Sequence, residues 1–575
     1  MNPNIRQTIL RIACLGGVTV VIRCIALYLF SGSFGFEANY PDESNYYLPA
    51  AQMLRDLGLG FFLSPRSLWN GPLNPLWIAL FQGHVPLVKF VNVLLFSIAS
   101  AFLAGGVGVS FGWRRASLVA LGLLVFPPTY QLVPTLLTEP LYVSLLMFSF
   151  GLLLLGDFSP RAFVLSGLLL GFATLVRPTS QFFPPMLVFI GIVLRGSPWS
   201  RRVIVHGAVA LAVCLPTVGW NWWQFGKVGI ANGVGAVAYL GSDLRRDGDE
   251  PMYSGVDFDT YRITSPYTHL DTDGDARLIQ VFKERISKHP TQTALLFVRK
   301  AGRYLFGSYY GYFWPFNGLT GKIAHESSLL SKIGVMIWPA VQVVVVVAAL
   351  VSLFWGSCSS ILRMYVGAIA FYFTALHVIA FPIPRMFMPL YPYVLVLGVV
   401  GLGTREVGRK ARALFGFSAP LIFAFVSAPR QAAFPTEVGE EYLSFFEDRC
   451  RGALQERHDI EEGDSGVIQG PDPYEVYRFD GISLLRSQVF TFALGVRCPL
   501  GSERRGIGQI FWSVDEQAFS ESRSITFPMR SVDAVHVVRP ALGPTWSGTL
   551  NAIRVDLPPE FVGCAVRVQE VQLLD

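Results

Sequence analysis

The chain has 575 residues, of which 52% are hydrophobic and 15% charged, with a mean hydropathy of +0.45 and a formal net charge of +6. That balance is too apolar for a water-soluble protein. The basic residues are scattered between apolar runs, with no basic patch and no aromatic RNA-binding signature, which argues against a nucleic-acid partner and makes membrane topology the source of the excess.

Crossing about 30 Å of hydrocarbon takes roughly twenty apolar residues, and Lys and Arg mark cytoplasmic loops. The start, "MNPNIRQTILRIACLGG", is basic, but its apolar run is too long for a signal peptide and no cleavage site follows, so the first helix is expected to stay as a span. In chain order the predicted spans are 9–31, 89–111, 116–133, 141–157, 162–176, 179–194, 203–222, 333–356, 364–383, 387–403 and 413–429. This gives about eleven spans in the cell membrane, with the N-terminus cytoplasmic and the C-terminus outside. The proline-rich stretch "PLNPLWIALFQGHVPL", 72–87, is expected in the outer interface, because a crossing there would put every later basic loop on the wrong side. The outer face then collects the loop 32–88, the turn "PTLLTEP" at 134–140, the long segment 223–332 and everything after about 430. The chain divides at this last point into a helical transmembrane domain, 1–429, and an extracytoplasmic domain, 430–575. In the latter, short alternating runs such as "VFTFALGVRC", "IGQIFWSVD" and "AIRVDL" predict a β-sandwich of jelly-roll type.

Seven cysteines form no CxxC or Cys/His cluster, so no structural metal is expected. A disulfide among Cys450, Cys498 and Cys564 is expected outside, with one cysteine left over.

Chemistry is concentrated on the outer face. After the first span comes "NYPDESNYYLPAAQML", 39–54, where Tyr46, Tyr47, Ala50, Ala51, Leu54 and Leu57 fall at helical spacing. This predicts an amphipathic helix on the outer leaflet with Pro49 in its first turn. Asp42 precedes it and reads either as a general base for a water-borne hydroxyl or as a helix cap. Glu139, in "LLTEPLY", is an acid close to hydrocarbon, which reads either as functional or as favoured by the N-terminus of the next helix. Arg177 in "TLVRPTS" and Arg385 in "PIPRMFMPLYP" both land outside in short loops, against the charge rule. A cation near the bilayer core costs roughly 2.5–3.5 kcal/mol and needs a partner; a lipid phosphate matches the guanidinium fork. Arg23, Arg66 and Lys89 are further candidates, although snorkelling is the plainer account of Arg66 and Lys89. "DTDGDARL", 271–278, lacks the EF-hand order and reads as a solvated turn. Phe511, Trp512 and Trp546 read as sandwich core ahead of sugar-stacking platforms, and "WNWWQFG", 220–226, as an interfacial aromatic belt.

Together "PDESNYY", "GPLNPLWIALF", "LLTEPLYVSLL", "ATLVRPTSQFFPP", "LPTVGWNWWQFGKVGI" and "RMFMPLYPYVLVLG" resemble, in order and spacing over roughly residues 1–405, the GT-C glycosyltransferases. The branches they look most like are the bacterial protein-mannosyltransferase-like and aminoarabinose-transferase-like enzymes. The resemblance implies a polyprenyl-phosphate sugar donor, an extracytoplasmic acceptor and one inverting displacement. Asp42 would then be the catalytic base, with Glu139 the second acid, orienting substrate or holding a divalent cation if one is used. Arg177 and Arg385, with Arg66, would hold the carrier phosphate, and Glu43, Tyr46 and Tyr47 would line the substrate site. Related enzymes often carry a Lys before the proline-rich stretch, where this chain has "WNGPLNP". The C-terminal sandwich is not a constant part of that family and looks like a carbohydrate-binding jelly roll. Two other classes are weighed. A lipid-linked sugar flippase would show an inverted repeat or an embedded chain of acids, and neither is present. An oligosaccharide polymerase or ligase would pattern arginines and a histidine in the large outer loop, but Arg245, Arg246 and His269 are unpatterned.

Overall fold

The computed structural model describes residues 3–574 apart from 32–41, 156–159, 195–199, 245–262, 265–271, 307–328, 403–449, 461–465, 484–488, 498–504, 531–533, 539–548 and scattered single or paired positions. It divides into two compact units: Met1–Asn39, Leu54–Glu250 and Val281–Gln431 form one; Tyr40–Met53, Pro251–Gln280 and Ala432–Asp575 the other.

The first unit is helical. Its elements are α1 (Pro3–Ser31), then α2 (Leu48–Leu57), which begins in the other unit, α3 (Leu73–Leu80), α4 (Val85–Phe111), α5 (Trp113–Leu124), α6 (Pro128–Leu132), α7 (Glu139–Leu155), α8 (Pro160–Val176), α9 (Phe183–Val193), α10 (Ser200–Phe225) and α11 (Val234–Gly241). After these come α12 (Thr272–Lys288), which lies in the other unit up to Gln280, α13 (Pro290–Phe306), α14 (Leu329–Trp355), α15 (Ser360–Ile379) and α16 (Tyr391–Gly401). Among the described residues, Val85–Phe111, Ser200–Phe225 and Leu362–Ile379 are long and apolar enough to cross a membrane, and five shorter helices are apolar. α4 packs on α1, α5 and α7, α7 on α8, α8 on α10, and α10 on α9. Small residues permit this: a Cβ on Gly106 of α4 would come within 2.9 Å of the Gly151 carbonyl of α7, the close backbone approach that membrane helices use.

Several expected spans are revised. The predicted 116–133 is broken into α5 and α6, because "VFPP" at 125–128 removes backbone donors and bends the chain. The predicted 387–403 shortens to the eleven residues of α16, preceded by a 3-10 turn at Pro384–Phe387. The stretch 72–87 contains the eight-residue α3, far short of a span, and then the first residues of α4. "DTDGDARL" is not a turn: it forms the start of α12, with Asp275 buried. The predicted span 413–429 lies outside the described residues, as do Arg245, Arg246 and His269.

The second unit contains two antiparallel sheets, built from β1 (Cys450–Arg451), β2 (Ala453–His458), β3 (Gly466–Val467), β4 (Tyr474–Ser483), β5 (Val489–Arg497), β6 (Arg505–Val514), β7 (Ser524–Arg530), β8 (Ala534–Val538), β9 (Thr549–Asp556) and β10 (Ala565–Leu574). One sheet runs β1-β10-β5-β8 with β3 also on β10, and the other β2-β4-β9-β6-β7. Alternation along β9 and β6 buries Leu550, Ile553, Val555, Ile510 and Trp512. Trp512 is fully buried and Phe511 nearly so, in line with core packing, while Trp546 lies outside the described residues. Cys564 is disulfide-bonded, and Cys498 lies outside the described residues. The segment from Asp42 belongs to this unit. It forms one wide turn of π-helix, Glu43–Tyr47, closed by Leu48 N donating to the Glu43 carbonyl, and lies against β7. α2 follows with Pro49 in its first turn, as the spacing predicted.

Candidate functional site

The first unit gathers charge where α3, α7, α8, α15 and the Pro384–Phe387 turn converge. α3 supports the turn before α7: Asn74 Nδ2 donates to the Leu136 carbonyl (3.4 Å), and Trp77 Nε1 donates to Asn92 Oδ1 (3.0 Å). Asn92 Nδ2 in turn donates to the Thr135 carbonyl (2.7 Å). Gly71, immediately before the proline-rich stretch, lies so close to the Leu175 carbonyl of α8 that a Cβ would collide with it. Just beyond that carbonyl α8 ends, and Arg177 takes an extended conformation (φ −135°, ψ 107°), as a residue before proline must. The turn after it is tied to α15 by Tyr372, whose hydroxyl donates to the Thr179 carbonyl (2.7 Å).

These supports bring the two rule-breaking arginines to one acid. Arg177 Nη1 lies 2.5 Å from Glu139 Oε1, with the two side chains 12% and 3% exposed. Nη1 also donates to Thr138 Oγ1 (3.3 Å), and Thr138 Oγ1 donates to Glu139 Oε2 (3.3 Å). The other terminal nitrogen, Nη2, points at Met386 Sδ (2.8 Å), a weak acceptor. Arg385, beside Met386, is partly buried, and its charge also acts on Glu139. Glu139 is the first residue of α7, so the helix N-terminus favours its carboxylate as well. One buried carboxylate therefore faces two guanidinium groups.

The remaining predicted residues are placed as follows. Asp42 is half-buried, and Tyr46 and Tyr47 are partly buried. Glu43 is fully buried. The Arg66 side chain lies outside the described residues. Lys89 does not snorkel: it is 1% exposed within α4, on the side packed against neighbouring helices. Arg23 is also buried; its guanidinium lies over the rings of Phe96 (4.8 Å) and Tyr130 (5.4 Å) and donates to the Leu123 carbonyl (2.9 Å). It closes the C-terminal end of α5, a role the sequence reading did not foresee. Trp222 and Trp223 are exposed at the end of α10, where an aromatic belt was expected. No group of three metal-ligating side chains occurs among the described residues.

Sequence reasoning missed the residues that frame this cluster. Lys300 and Tyr304 on α13, His377 on α15 and Met386 all reach it or its supports. A signal existed, since Lys300 and Tyr304 stand four apart on one face of an amphipathic helix.

Residues 73–220, which contain α3, Glu139 and Arg177, match the family model of dolichyl-phosphate-mannose-protein mannosyltransferase. The resemblance to GT-C glycosyltransferases holds. Two solved structures are similar to the chain at low identity. ArnT from Cupriavidus metallidurans in the apo state is 16% identical over 67% of this chain and 78% of that one, with a TM-score of 0.30. ArnT from the same organism bound to undecaprenyl phosphate is 16% identical over 70% and 80%, with a TM-score of 0.29. No protein of curated function matches.

Proposed function

We propose that this chain is a membrane GT-C glycosyltransferase that moves a sugar from a polyprenyl-phosphate donor to an extracytoplasmic acceptor. The observation that carries the reading is the convergence of Arg177 and Arg385 on buried Glu139 at the end of apolar helices. Guanidinium groups held close to hydrocarbon are costly to place there and mark a functional site. A phosphate carried on a lipid matches the guanidinium fork, and Arg177 Nη2, which meets the Met386 thioether, would gain a stronger acceptor in it.

In this mechanism the arginines hold the carrier phosphate and stabilise the charge that develops on it as the anomeric bond breaks. Glu139 holds Arg177 in place through the direct ion pair and through Thr138. Asp42 accepts the proton of the attacking acceptor hydroxyl, a role resting on the resemblance and on the position of Asp42 at the start of the π-helical turn. The displacement is inverting, the spans number about eleven with the C-terminus outside, and the two C-terminal sheets form a sandwich.

The test is release of free polyprenyl phosphate from a panel of polyprenyl-phosphate sugars by purified protein in liposomes containing envelope acceptor. Wild type is expected to release it. Asp42→Asn, folded by thermal melt, is expected to fall by about a hundred-fold or more, and Arg385→Gln by about a hundred-fold. Equal release by Asp42→Asn removes that residue from the reaction. Transbilayer movement of intact donor without release replaces the reading with transport.

A further inference from the structure

We propose that Lys300 and Tyr304 form a two-point clamp on α13 that sets the position of Arg385, and so act as positioning residues for the anion-holding cluster. The inference rests on the functional reading above but concerns residues outside that machinery.

α13 lies within the long segment predicted between spans, and both residues face the same neighbours, being one turn apart. Lys300 is wholly buried. Its ammonium donates to the Gly241 carbonyl at the end of α11 (2.6 Å), to the Ile379 carbonyl (3.2 Å) and to the Ala380 carbonyl, the last two closing α15. A helix C-terminus presents carbonyls without intrahelical partners and carries partial negative charge, so a cation there both satisfies and stabilises it. Only glycine fits at position 241, because a Cβ would collide with the Ile379 and Ala380 carbonyls that Lys300 collects. Burial pulls the amine down to about 7; the carbonyls stand in for the water it has lost.

Tyr304 grips the other end of the same short segment. Its hydroxyl donates to the Met386 carbonyl (3.3 Å), and its ring stacks on His377 in the last turn of α15 (4.7 Å, 8°) and edge-on to Phe387 (5.6 Å). Arg385 lies between these points: Lys300 fixes residues 379 and 380, Tyr304 fixes 386, and Met386 meets Arg177. α13 is itself anchored by Gln342 of α14, whose amide donates to the Tyr304 and Leu305 carbonyls (3.3 and 3.2 Å). The α11 end is held from a second side by Arg285 of α12, which donates to the Tyr239 carbonyl (2.8 Å) and to Ser242 Oγ (3.3 Å). A loop that must carry a cation beside hydrocarbon is thus splinted at both ends by one rigid helix, the arrangement that pre-organised charge requires.

The experiment uses full-length protein in nanodiscs, with Lys300→Met, Tyr304→Phe and Arg385→Gln alone and combined. Hydrogen exchange is read first, without ligand. Each clamp variant is expected to speed exchange of peptides covering 379–388 by about ten-fold while α4 and α7 keep their protection. Unchanged exchange in 379–388, or loss of protection throughout the unit, overturns the clamp. Binding of undecaprenyl phosphate is read second. Lys300→Met is expected to weaken it about ten-fold in the wild-type background and less than about two-fold in the Arg385→Gln background, because residues acting through one another do not add. Full additivity overturns the positioning role. If wild-type protein fails to bind undecaprenyl phosphate, the proposed function falls, and the exchange arm still decides the clamp.

Discussion

Each unit buries a glutamate against an arginine, and the two pairs differ in a way that separates support from function. In the sheet unit Glu475 is 1% exposed and accepts from Arg457 Nε (2.8 Å) and from the Tyr477 hydroxyl (2.5 Å). Arg457 is its direct cross-strand partner and Tyr477 lies two residues along the same strand. Acid and cation are both supplied by the local pleat. In the helical unit Glu139 opens α7 while Arg177 follows the end of α8, a second arginine adds its charge, and one guanidinium nitrogen meets a sulfur. Burial of charge is common to both; among the described residues, two arginines converge on the acid only in the second. Burial alone is therefore a poor pointer to chemistry, and the sum of charge inside the buried group is a better one.

The sharpest way to break the comparison is to remove one partner from each pair. Arg177→Met removes the direct partner of Glu139 and leaves it only the Thr138 hydroxyl and the charge of Arg385 in an apolar surround. It is expected to cost about 3–5 kcal/mol, seen as a lowered melting temperature, and to abolish release of polyprenyl phosphate. Arg457→Leu is expected to cost less, about 2 kcal/mol, because Tyr477 still donates to Glu475, and to leave release by the folded protein unchanged. A loss of release on Arg457→Leu with the melt intact would erase the distinction between the pairs. Arg385→Gln sharpens it from the other side. Glu139 keeps its direct partner, so stability is expected to move by less than about 1 kcal/mol, while undecaprenyl phosphate binding weakens about ten-fold. A large loss of stability with unchanged binding would make Arg385 structural.

Much of this was legible before the structure. Arg177 and Arg385 stood out because they break the charge rule, and Glu139 because an acid beside hydrocarbon is costly; these signals depend only on depth and charge. That the three meet was not legible, since Glu139 and Arg385 stand far apart in sequence and nothing local encodes their register. Lys89 and Arg23 were misjudged for the same reason. Their burial depends on which face of a helix its neighbours cover, and both α1 and α4 are apolar nearly all round, so the sequence shows no polar side for a cation to follow. Lys300 was missed because a lysine in a polar segment is ordinarily solvated; only the folded chain reveals that three carbonyls surround it. The strands were readable from their alternation and the breaks between them, but the pairing of β2 with β4 that creates the Glu475–Arg457 contact was not.

The smallest expected effect is a pH dependence confined to the sheet unit. Burial raises the Glu475 carboxyl above its usual range, and Tyr477 and Arg457 offset this only in part. A raised folded value means the folded state holds the proton more tightly than the unfolded chain. Its contribution to stability is then complete below the unfolded carboxyl range and is lost as pH rises through the folded value. Glu475→Gln, which keeps the shape and cannot ionise, removes that dependence. The melting temperature of wild type relative to Glu475→Gln is therefore expected to fall as pH is raised from about 4 to 7. A wild type that instead gains on the variant over this range would mean that the ion pair with Arg457 outweighs burial. Glu475 would then behave like Glu139, as an acid whose charge the fold is built to hold, and the contrast between the two pairs would rest on the second arginine alone.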